Sequence, residues 1–444
     1  MKKTFRGGVH PYDGKVLTQD KVIVTLHPTG EAVYPLNQHI GAPAVPAVKK
    51  GDVVSVGQCI ATAGDGISAC ICSGVSGTVK AIEKRCAISG DFMQSIVIDN
   101  DGKYTPVSTL GQTRDFRNMS NAQIRDIAQA AGLIGLGGAG FPATVKMTPA
   151  DDAAITHILI NGAECEPYLT SDYRLMMEKT DDLFGGVDIL LQMFPHAEGI
   201  IAIEDNKPEA IRALTAMAAK FPRVRVCALK TKYPQGGERS LIYAVTGKKV
   251  HSKILPYQVG CIVHNVATVI ALYQAVCHST PLIRRVVTLS GDALAGIGNY
   301  DVPIGISLAE VVEMTGGFSK PAEKMICGGP MMGTGLFTLD VPVQKTTSSL
   351  LAFAEDTDAR KAKTACIHCG RCVKVCPANL IPQMMGKAVK RGDIDAFQSL
   401  GGMECVSCGS CSYICPANIR LTQSFVYAKT EVRKHQKKEE MKNG

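Results

Sequence analysis

The chain reads Cys366-Ile367-His368-Cys369-Gly370-Arg371-Cys372-Val373-Lys374-Val375-Cys376-Pro377 in its C-terminal part, and a second run of this pattern extends from Cys405 to Pro416. In both runs, two-residue gaps separate the first three cysteines and a three-residue gap precedes the fourth. Zinc modules usually show two Cys-x2-Cys pairs, not two four-cysteine runs that each end in Cys-Pro. The spacing therefore predicts a bacterial-ferredoxin-type module with two [4Fe–4S] clusters, which moves electrons one at a time.

The spacing also predicts which cysteines share a cluster. Three thiolates of one run can surround one cubane, and the fourth cysteine of that run reaches the other cluster. We expect the first cluster on Cys366, Cys369, Cys372 and Cys415. We expect the second cluster on Cys405, Cys408, Cys411 and Cys376.

The composition limits the class of protein. The 444 residues include 17 Cys and no Trp, 20% of them are charged, and the formal net charge is +8. This many cysteines favours a reducing compartment and metal ligation. No basic patch is interleaved with stacking aromatics, so we expect no nucleic-acid partner. No run approaches the roughly 20 apolar residues of a membrane span, and no apolar segment follows the basic N-terminal residues.

Residues 1–112 are predicted to form a β-rich unit. Short apolar runs, such as Lys21 to Leu26 and Gly77 to Ile82, alternate with Gly, Pro and Asp turns. The pattern resembles the barrel-sandwich fold of lipoyl and biotinyl carriers. No Lys lies between Ile67 and Val75, where a carrier would bear its swinging arm, so we expect the fold without that function.

Residues 113–283 are predicted to form a doubly wound α/β domain. Ser120 and Gln123 are spaced as a capping box at the start of a helix. Buried-type strands at 157–160, 199–203 and 224–229 are separated by helical segments, which indicates a mainly parallel sheet. Residues 284–345 resemble an SLBB β-grasp domain. A linker-like stretch from Lys345 to Lys363 leads into the ferredoxin-like module, residues 346–428, and a basic tail follows at 429–444.

A glycine-rich loop follows the first helix of the α/β domain. Its glycines allow the backbone to approach a phosphate or a ring face closely, and Lys146 follows as a cation. Two further segments fall near strand ends: Asn161 to Pro167, with its carboxylates, and Tyr233 to Glu238. The glycines of the loop are Gly132, Gly135, Gly137, Gly138 and Gly140.

These motifs resemble the flavin- and NADH-binding subunit of respiratory complex I. Over essentially the whole chain they are closer to the C subunits of Rnf complexes, the ion-translocating ferredoxin:NAD⁺ oxidoreductases. The segments that carry the resemblance are Phe5 to Pro11, His39 to Pro43, the glycine loop with Phe141-Pro142, Asn161 to Tyr168, Cys327 to Gly333, and the two cysteine runs.

The resemblance implies binding sites for FMN and NAD(H). Phe141 and Glu166 fall where the nicotinamide nucleotide is placed, and Glu238 is near both ligands. Ala163 and Gly237 replace acids of the complex I pattern, and His264 stands where a second Asn is usual. The positions that fall where FMN is held are Gly135, Gly137, Gly138, Gly140, Lys146, Asn161, Gly236, Gly237 and Asn265.

The resemblance also implies a function. NAD(H) exchanges hydride with FMN, and single electrons pass through the two clusters to or from other subunits of the complex, indirectly ferredoxin. No side chain is needed as a general acid or base, so no catalytic residue is named. The chain is expected on the cytoplasmic face of the membrane, without a spanning segment. The alternatives are a cobalamin reductase of a bacterial microcompartment and a non-enzymatic iron–sulfur wiring subunit without flavin.

Overall fold

The computed structural model describes the backbone of residues 3–443 and the surroundings of side chains up to Gln436. It contains two small β-sheets near the N-terminus, a parallel α/β unit, a six-stranded mixed sheet and a C-terminal helical module. The side chains of the predicted basic tail beyond Gln436 lie outside the described residues.

The N-terminal unit consists of two short sheets packed around one apolar core. The four-stranded sheet has the order β2-β8-β7-β4 and the three-stranded sheet the order β3-β5-β6, all antiparallel. Fully buried Ile60, Ile71, Ile96 and Ile98 fill the space between them. This arrangement agrees with the predicted sandwich. The strands of the two sheets are β2 Ala32–Pro35, β3 Val45–Pro46, β4 Val53–Val54, β5 Cys59–Thr62, β6 Ile71–Cys72, β7 Gly77–Cys86 and β8 Phe92–Asn100. Strand β1, Ile23–Thr25, precedes them in the chain and belongs to the six-stranded sheet described below.

The central unit is a four-stranded parallel sheet of order β11-β10-β9-β12 with helices on both faces, as the sequence predicts. Its first helix begins with the predicted capping box of Ser120 and Gln123, and Gly132 follows its end with a φ of +67°. The strands are β9 His157–Gly162, β10 Glu198–Glu204, β11 Val224–Leu229 and β12 Cys261–Asn265. The helices are α1 Asn121–Ala130, α2 Ala143–Lys146, α3 Ser171–Glu178, α4 Thr180–Met193, α5 Pro208–Ala218, α6 Glu238–Thr246 and α7 Val266–His278.

The six-stranded sheet has the order β1-β14-β13-β17-β15-β16, so it recruits strands from outside the predicted range 284–345. The interpretation of Lys345 to Lys363 as a linker is wrong for residues 349–353. These residues form β17, which is buried between β13 and β15. A short apolar strand flanked by polar residues gives only a weak signal. The elements are β13 Arg284–Gly291, β14 Gly298–Pro303, α8 Leu308–Met314, β15 Lys324–Cys327, β16 Thr334–Leu336 and β17 Ser349–Phe353.

The C-terminal module is helical, with one short helix inside each cysteine run and a long helix at its end. Its core contains Met385, Phe397 and Phe425, which pack beside Cys411. In both runs, a glycine with positive φ precedes a short helix: Gly370 at +73° and Gly409 at +82°. The helices are α9 Arg371–Val375, α10 Pro382–Lys390, α11 Ile394–Ser399, α12 Ser410–Tyr413 and α13 Leu421–Asn443.

Candidate functional site

Four cysteines from the two different runs line one cavity in the C-terminal module. Cys376, from the first run, lies with Cys405, Cys408 and Cys411, from the second run. Phe425 and other apolar side chains line much of the rest of the cavity, together with two serines and Thr422. This is the crossed grouping expected for one cubane.

The cysteines expected to hold the other cluster are more exposed. Cys366 and Cys369 are exposed, whereas Cys372 and Cys415 are half-buried and close enough for their charges to interact. Among residues 3–436, no three His, Cys, Asp or Glu side chains are placed to hold a single metal ion. A cubane distributes its four thiolates over four irons, so its ligands lie farther apart than those of one ion. The arrangement therefore fits clusters with an exposed and a sheltered site.

The glycine loop is fixed at both ends and open at one position. The Gly135 amide donates to the Phe141 carbonyl at 2.8 Å, and Gly140 turns with a φ of +71°. A Cβ on Gly137 would lie 2.5 Å from Asn265 Nδ2. A Cβ on Gly138 would meet no described atom within 4 Å. The loop thus leaves open space at Gly138, where a bound ring or phosphate can approach the backbone.

The carboxyl ends of two parallel strands bring polar side chains to the same edge of the sheet as the loop. Asn161, on β9, donates to the Gly236 carbonyl at 2.8 Å. Asn265, at the end of β12, accepts from the Ala267 amide at 2.8 Å and donates to Asp172 at 2.6 Å. In parallel α/β sheets this edge is where ligands bind. The structure therefore brings together Asn161, Gly236, Asn265 and the loop.

Lys146 and Glu238 form an ion pair at this edge. The Lys146 Nζ lies 2.5 Å from Glu238 Oε1 and also donates to the Val263 carbonyl at 3.2 Å. Gly237 precedes Glu238 as the N-cap of α6. The pair joins two of the predicted FMN and nucleotide positions. It also means that an anionic ligand of Lys146 would compete with Glu238.

His264 is a buried neutral histidine beside this pair. Burial, followed by the charge of Lys146, lowers the pKa of His264 to about 3. Its Nε2 has no hydrogen-bond partner among the described residues. An orphaned buried nitrogen is costly unless a ligand or water pairs with it. In the sequence, His264 stood out only because the complex I pattern usually has an Asn at this position. Its unpaired Nε2 fits a site that a cofactor completes.

Glu166 lies at a different place, against a loop of the six-stranded sheet. Its carboxylate accepts from the Tyr233 hydroxyl at 3.3 Å and from the Met331 amide at 3.1 Å. It also packs on Gly329, where an added Cβ would overlap it. Burial raises the pKa of Glu166 to about 7. No described hydrogen bond joins Glu166 to the glycine loop, and the half-buried Phe141 is the predicted nucleotide position that adjoins that loop.

A junction centred on Tyr233 connects the strand edge with the cysteine runs. Tyr233 packs with Val9, Cys165 and Cys408 in one apolar cluster. Its backbone exchanges two hydrogen bonds with Val9, at 2.8 and 2.9 Å. The Gly236 amide donates to Cys165 Sγ at 3.3 Å. The route from Asn161 and Gly236 through Cys165 and Tyr233 to Cys408 is therefore continuous packed protein.

Two buried lysines contact the segment from Ala163 to Glu166. Lys15 lies 3.7 Å from Glu164, and Lys207 donates to the Ala163 carbonyl at 2.7 Å. Lys207 also lies 3.9 Å from Glu204. Burial raises the pKa of Glu164 to about 7, and both lysines oppose that rise. Sequence reasoning missed these residues, because Lys15 and Lys207 carry no motif and meet only in the fold.

Comparison with known families supports each part of this architecture. The models that match are the RnfC barrel sandwich hybrid domain over residues 3–103, the Nuo51 FMN-binding domain over 128–274, the SLBB domain over 286–335 and the 4Fe-4S dicluster domain over 365–419. These matches confirm the predicted fold class and the predicted FMN and iron–sulfur cofactors.

Curated relatives extend over most of the chain. The C subunit of the proton-translocating ferredoxin:NAD⁺ oxidoreductase complex of Clostridium ljungdahlii is 42% identical over 87% of this chain and 84% of its own length. The chain belongs to this family of C subunits. The Na⁺-translocating counterpart of Acetobacterium woodii is 38% identical over 90% of both chains. The C subunit of the ion-translocating oxidoreductase complex of Rhodobacter capsulatus is 39% identical over 98% of this chain and 85% of its own.

A solved structure shares the fold. A chain of an NAD⁺-reducing [NiFe]-hydrogenase in the air-oxidized state superposes with a TM-score of 0.51 at 21% identity, over 69% of this chain and 63% of that chain. Across the described residues, no helix is both long enough and apolar enough to cross a membrane.

Proposed function

We propose that this chain is the subunit of a membrane-bound ferredoxin:NAD⁺ oxidoreductase that exchanges hydride with NAD(H) and passes single electrons through two [4Fe–4S] clusters. The complex couples this transfer to Na⁺ or H⁺ translocation, with the ion path in other subunits. The family membership and the FMN and iron–sulfur domains support the proposal. The chain is a peripheral subunit on the cytoplasmic face.

When bound, FMN supplies the conversion between two-electron hydride chemistry and one-electron transfer, which the protein side chains cannot perform. The chain's own task is to bind and orient the ligands. Gly138 leaves the backbone open to the ligand, and Asn161 and Asn265 hold the two strand ends in place. His264 contributes an uncharged nitrogen with unused hydrogen-bonding capacity.

Lys146 provides the positive charge for a phosphate at this edge. Its pairing with Glu238 keeps the two charges balanced until an anionic group competes for the lysine. Ion pairs that are partly exposed contribute little to stability, so exchanging one partner costs little. Glu238 is then available to a hydroxyl or amide donor of the nucleotide.

The observation that carries the proposal is the Tyr233 junction. It places Cys165, beside the strand edge, and Cys408, in the cysteine cavity, in one apolar cluster. Glu166 and the Met331 amide fix the Tyr233 hydroxyl side of that cluster. Water is excluded because Tyr233 is 2% exposed. This packed contact supports an electron route between the strand edge and the cysteine cavity within one chain.

An anaerobic titration tests the proposal. The full chain is loaded with iron, sulfide and FMN and titrated with NADH while flavin and cluster absorbance are recorded. We expect the bound flavin to bleach and a soluble dye or the clusters to take up electrons. If FMN fails to bind and NADH bleaches nothing, although the iron content corresponds to two cubanes, the chain is a wiring subunit and the proposal is wrong.

A further inference from the structure

Three cysteines outside the iron–sulfur module meet on the three-stranded sheet of the N-terminal unit. Cys59, on β5, is paired directly with Cys72, on β6, and Cys70 lies two residues before Cys72. Cys70 directly precedes β6, and both Cys70 and Cys72 are buried. The Cys70 and Cys72 thiols are near enough to Cys59 to act on its pKa, in opposite directions. The proposed electron route uses none of the three.

We propose that Cys59 and Cys72 form a redox-active pair that closes to a disulfide with a small-molecule disulfide as oxidant. Residues directly opposite each other in an antiparallel pair have Cα atoms about 4.5 to 5.5 Å apart. A disulfide spans Cα separations of about 4.4 to 6.8 Å. The register of this ladder shifts between Cys59 and Ala61, next to the pair, but Cys59 and Cys72 are still opposite each other. The bond can therefore form across the ladder with a local adjustment of the backbone.

Cys59 should react before Cys72, because the two thiols differ in exposure. Cys59 is exposed, whereas Cys70 and Cys72 are buried. A soluble disulfide such as oxidised glutathione therefore meets Cys59 first. The Cys59 thiolate attacks one glutathione sulfur, and one glutathione thiolate leaves. The Cys72 thiolate then attacks Cys59 Sγ and expels the second. Two protein thiols are oxidised, and one glutathione disulfide becomes two glutathione thiols.

The surroundings favour Cys72 as the resolving thiol. The neighbouring Cys59 thiol and the charge of Lys345 lower the pKa of Cys72, against the effect of burial. The same Lys345 is 1% exposed and donates to the carbonyls of Cys70 and Gly132, the latter at 2.8 Å. Cys72 Sγ itself contacts the Ala130 carbonyl at 3.6 Å, at the end of α1. The pair thus lies next to the end of α1, where the glycine loop begins.

Cys70 is the neighbouring thiol that should stay reduced. The neighbouring Cys59 thiol and burial raise the pKa of Cys70 strongly, so its thiolate is disfavoured. It follows Ala69 before β6 begins and is not paired opposite Cys59 in the ladder. Among residues 3–436, the three thiols are not placed as a site for a single metal ion. The geometry therefore favours a dithiol over a metal site.

The test uses the fully loaded chain under anaerobic conditions. It is equilibrated in buffers of increasing oxidised-to-reduced glutathione ratio, unfolded in denaturant that contains N-ethylmaleimide so that buried thiols are also blocked, and digested with trypsin. No Lys or Arg occurs between Lys50 and Lys80, so one peptide, 51–80, contains all three thiols. We expect its maleimide count to fall from three to one as the ratio rises, with the remaining label on Cys70.

Variants assign the bond. C59S and C72S should each abolish the internal disulfide, and C72S should leave glutathione attached to Cys59. C70S and the control C86S should still close it. Three labels at every ratio, a bond that C70S abolishes, or a cross-link between two chains would overturn the proposal. If a variant fails to fold, the number of maleimide labels on peptide 51–80 of the unmodified chain still tests whether the disulfide forms.

Discussion

Replacing Gly138 with Ala separates ligand binding from folding at the glycine loop. The added Cβ meets no described atom within 4 Å, and the backbone there does not have a positive φ. The folded protein should therefore tolerate G138A, and loss of chain freedom in the unfolded state stabilises it by about 0.4 to 1 kcal/mol. If FMN packs on this loop, the methyl group intrudes on it. Overpacking costs about 1 to 3 kcal/mol, which corresponds to roughly 5- to 150-fold weaker FMN binding.

Replacing the neighbouring Gly137 with Ala should instead destabilise the fold. A Cβ on Gly137 would lie 2.5 Å from Asn265 Nδ2. This nitrogen donates a hydrogen bond to Asp172, and Asn265 Oδ1 caps the N-terminus of α7. Losing an N-cap costs about 1 kcal/mol, and losing a hydrogen bond to a charged group costs about 1.5 to 3 kcal/mol. G137A should therefore lower the free energy of unfolding by about 2 to 4 kcal/mol.

The assay pairs FMN fluorescence quenching with thermal unfolding of the flavin-free chain. G335A is the matched control, because Gly335 also has open space around its Cβ but lies on β16. It should bind FMN as the unmodified chain does. The reasoning is refuted if G138A unfolds like G335A and still binds FMN with unchanged affinity.

Three further predictions concern buried charge, pH and cluster ligation. K207M leaves Glu204 buried without its cation, so the free energy of unfolding should fall by about 3 to 5 kcal/mol in a urea titration. The folded-state pKa of Glu166, about 7, lies above its ordinary 4.5, so its contribution to stability is complete below pH 4.5 and is lost as the pH rises to about 7. E166Q should make this part of the pH profile of unfolding shallower, and the slope that remains belongs to Glu164, whose pKa is also about 7. C376S and C408S should remove the same cluster, so the double variant should keep the remaining iron, whereas C376S with C369S should lose both clusters.

Each of these three predictions has a control or an outcome that would contradict it. R212A removes an exposed ion pair with Glu209 and should change stability by less than about 0.5 kcal/mol. An equal effect of K207M would contradict the assigned role of burial. An unchanged pH profile in E166Q would show that another group titrates. Iron loss from both clusters in the double variant of Cys376 and Cys408 would contradict the crossed ligation.

The local patterns were sufficient for much of the fold. Short apolar runs separated by helical segments predicted the parallel sheet, and the capping box of Ser120 and Gln123 predicted the start of α1. The cysteine spacing predicted that Cys376 lies with the second run. These features depend on residues close in sequence or on a fixed cluster geometry, so a single sequence contains their signal.

Features that depend on long-range packing were not predictable in this way. The parallel pairing of β1 with β14 joins residues nearly 280 positions apart, and β17 becomes a strand only because β13 and β15 flank it. At the site, the same applies to the Tyr233 junction and to the contact of Glu166 with Met331. Motif position placed Glu166 with the nucleotide, whereas its described contacts are with this junction.

The central claim is that cluster electrons reach NAD⁺ within this one chain. The most direct test reduces the loaded chain with a low-potential donor, removes the excess and mixes the protein with NAD⁺ anaerobically. A reduced flavin stores two electrons and each cubane one, so about two NADH should form per chain, against about one per bound flavin in protein loaded with FMN alone. About one NADH from both preparations would show that the cluster electrons do not reach the flavin, and would contradict the account.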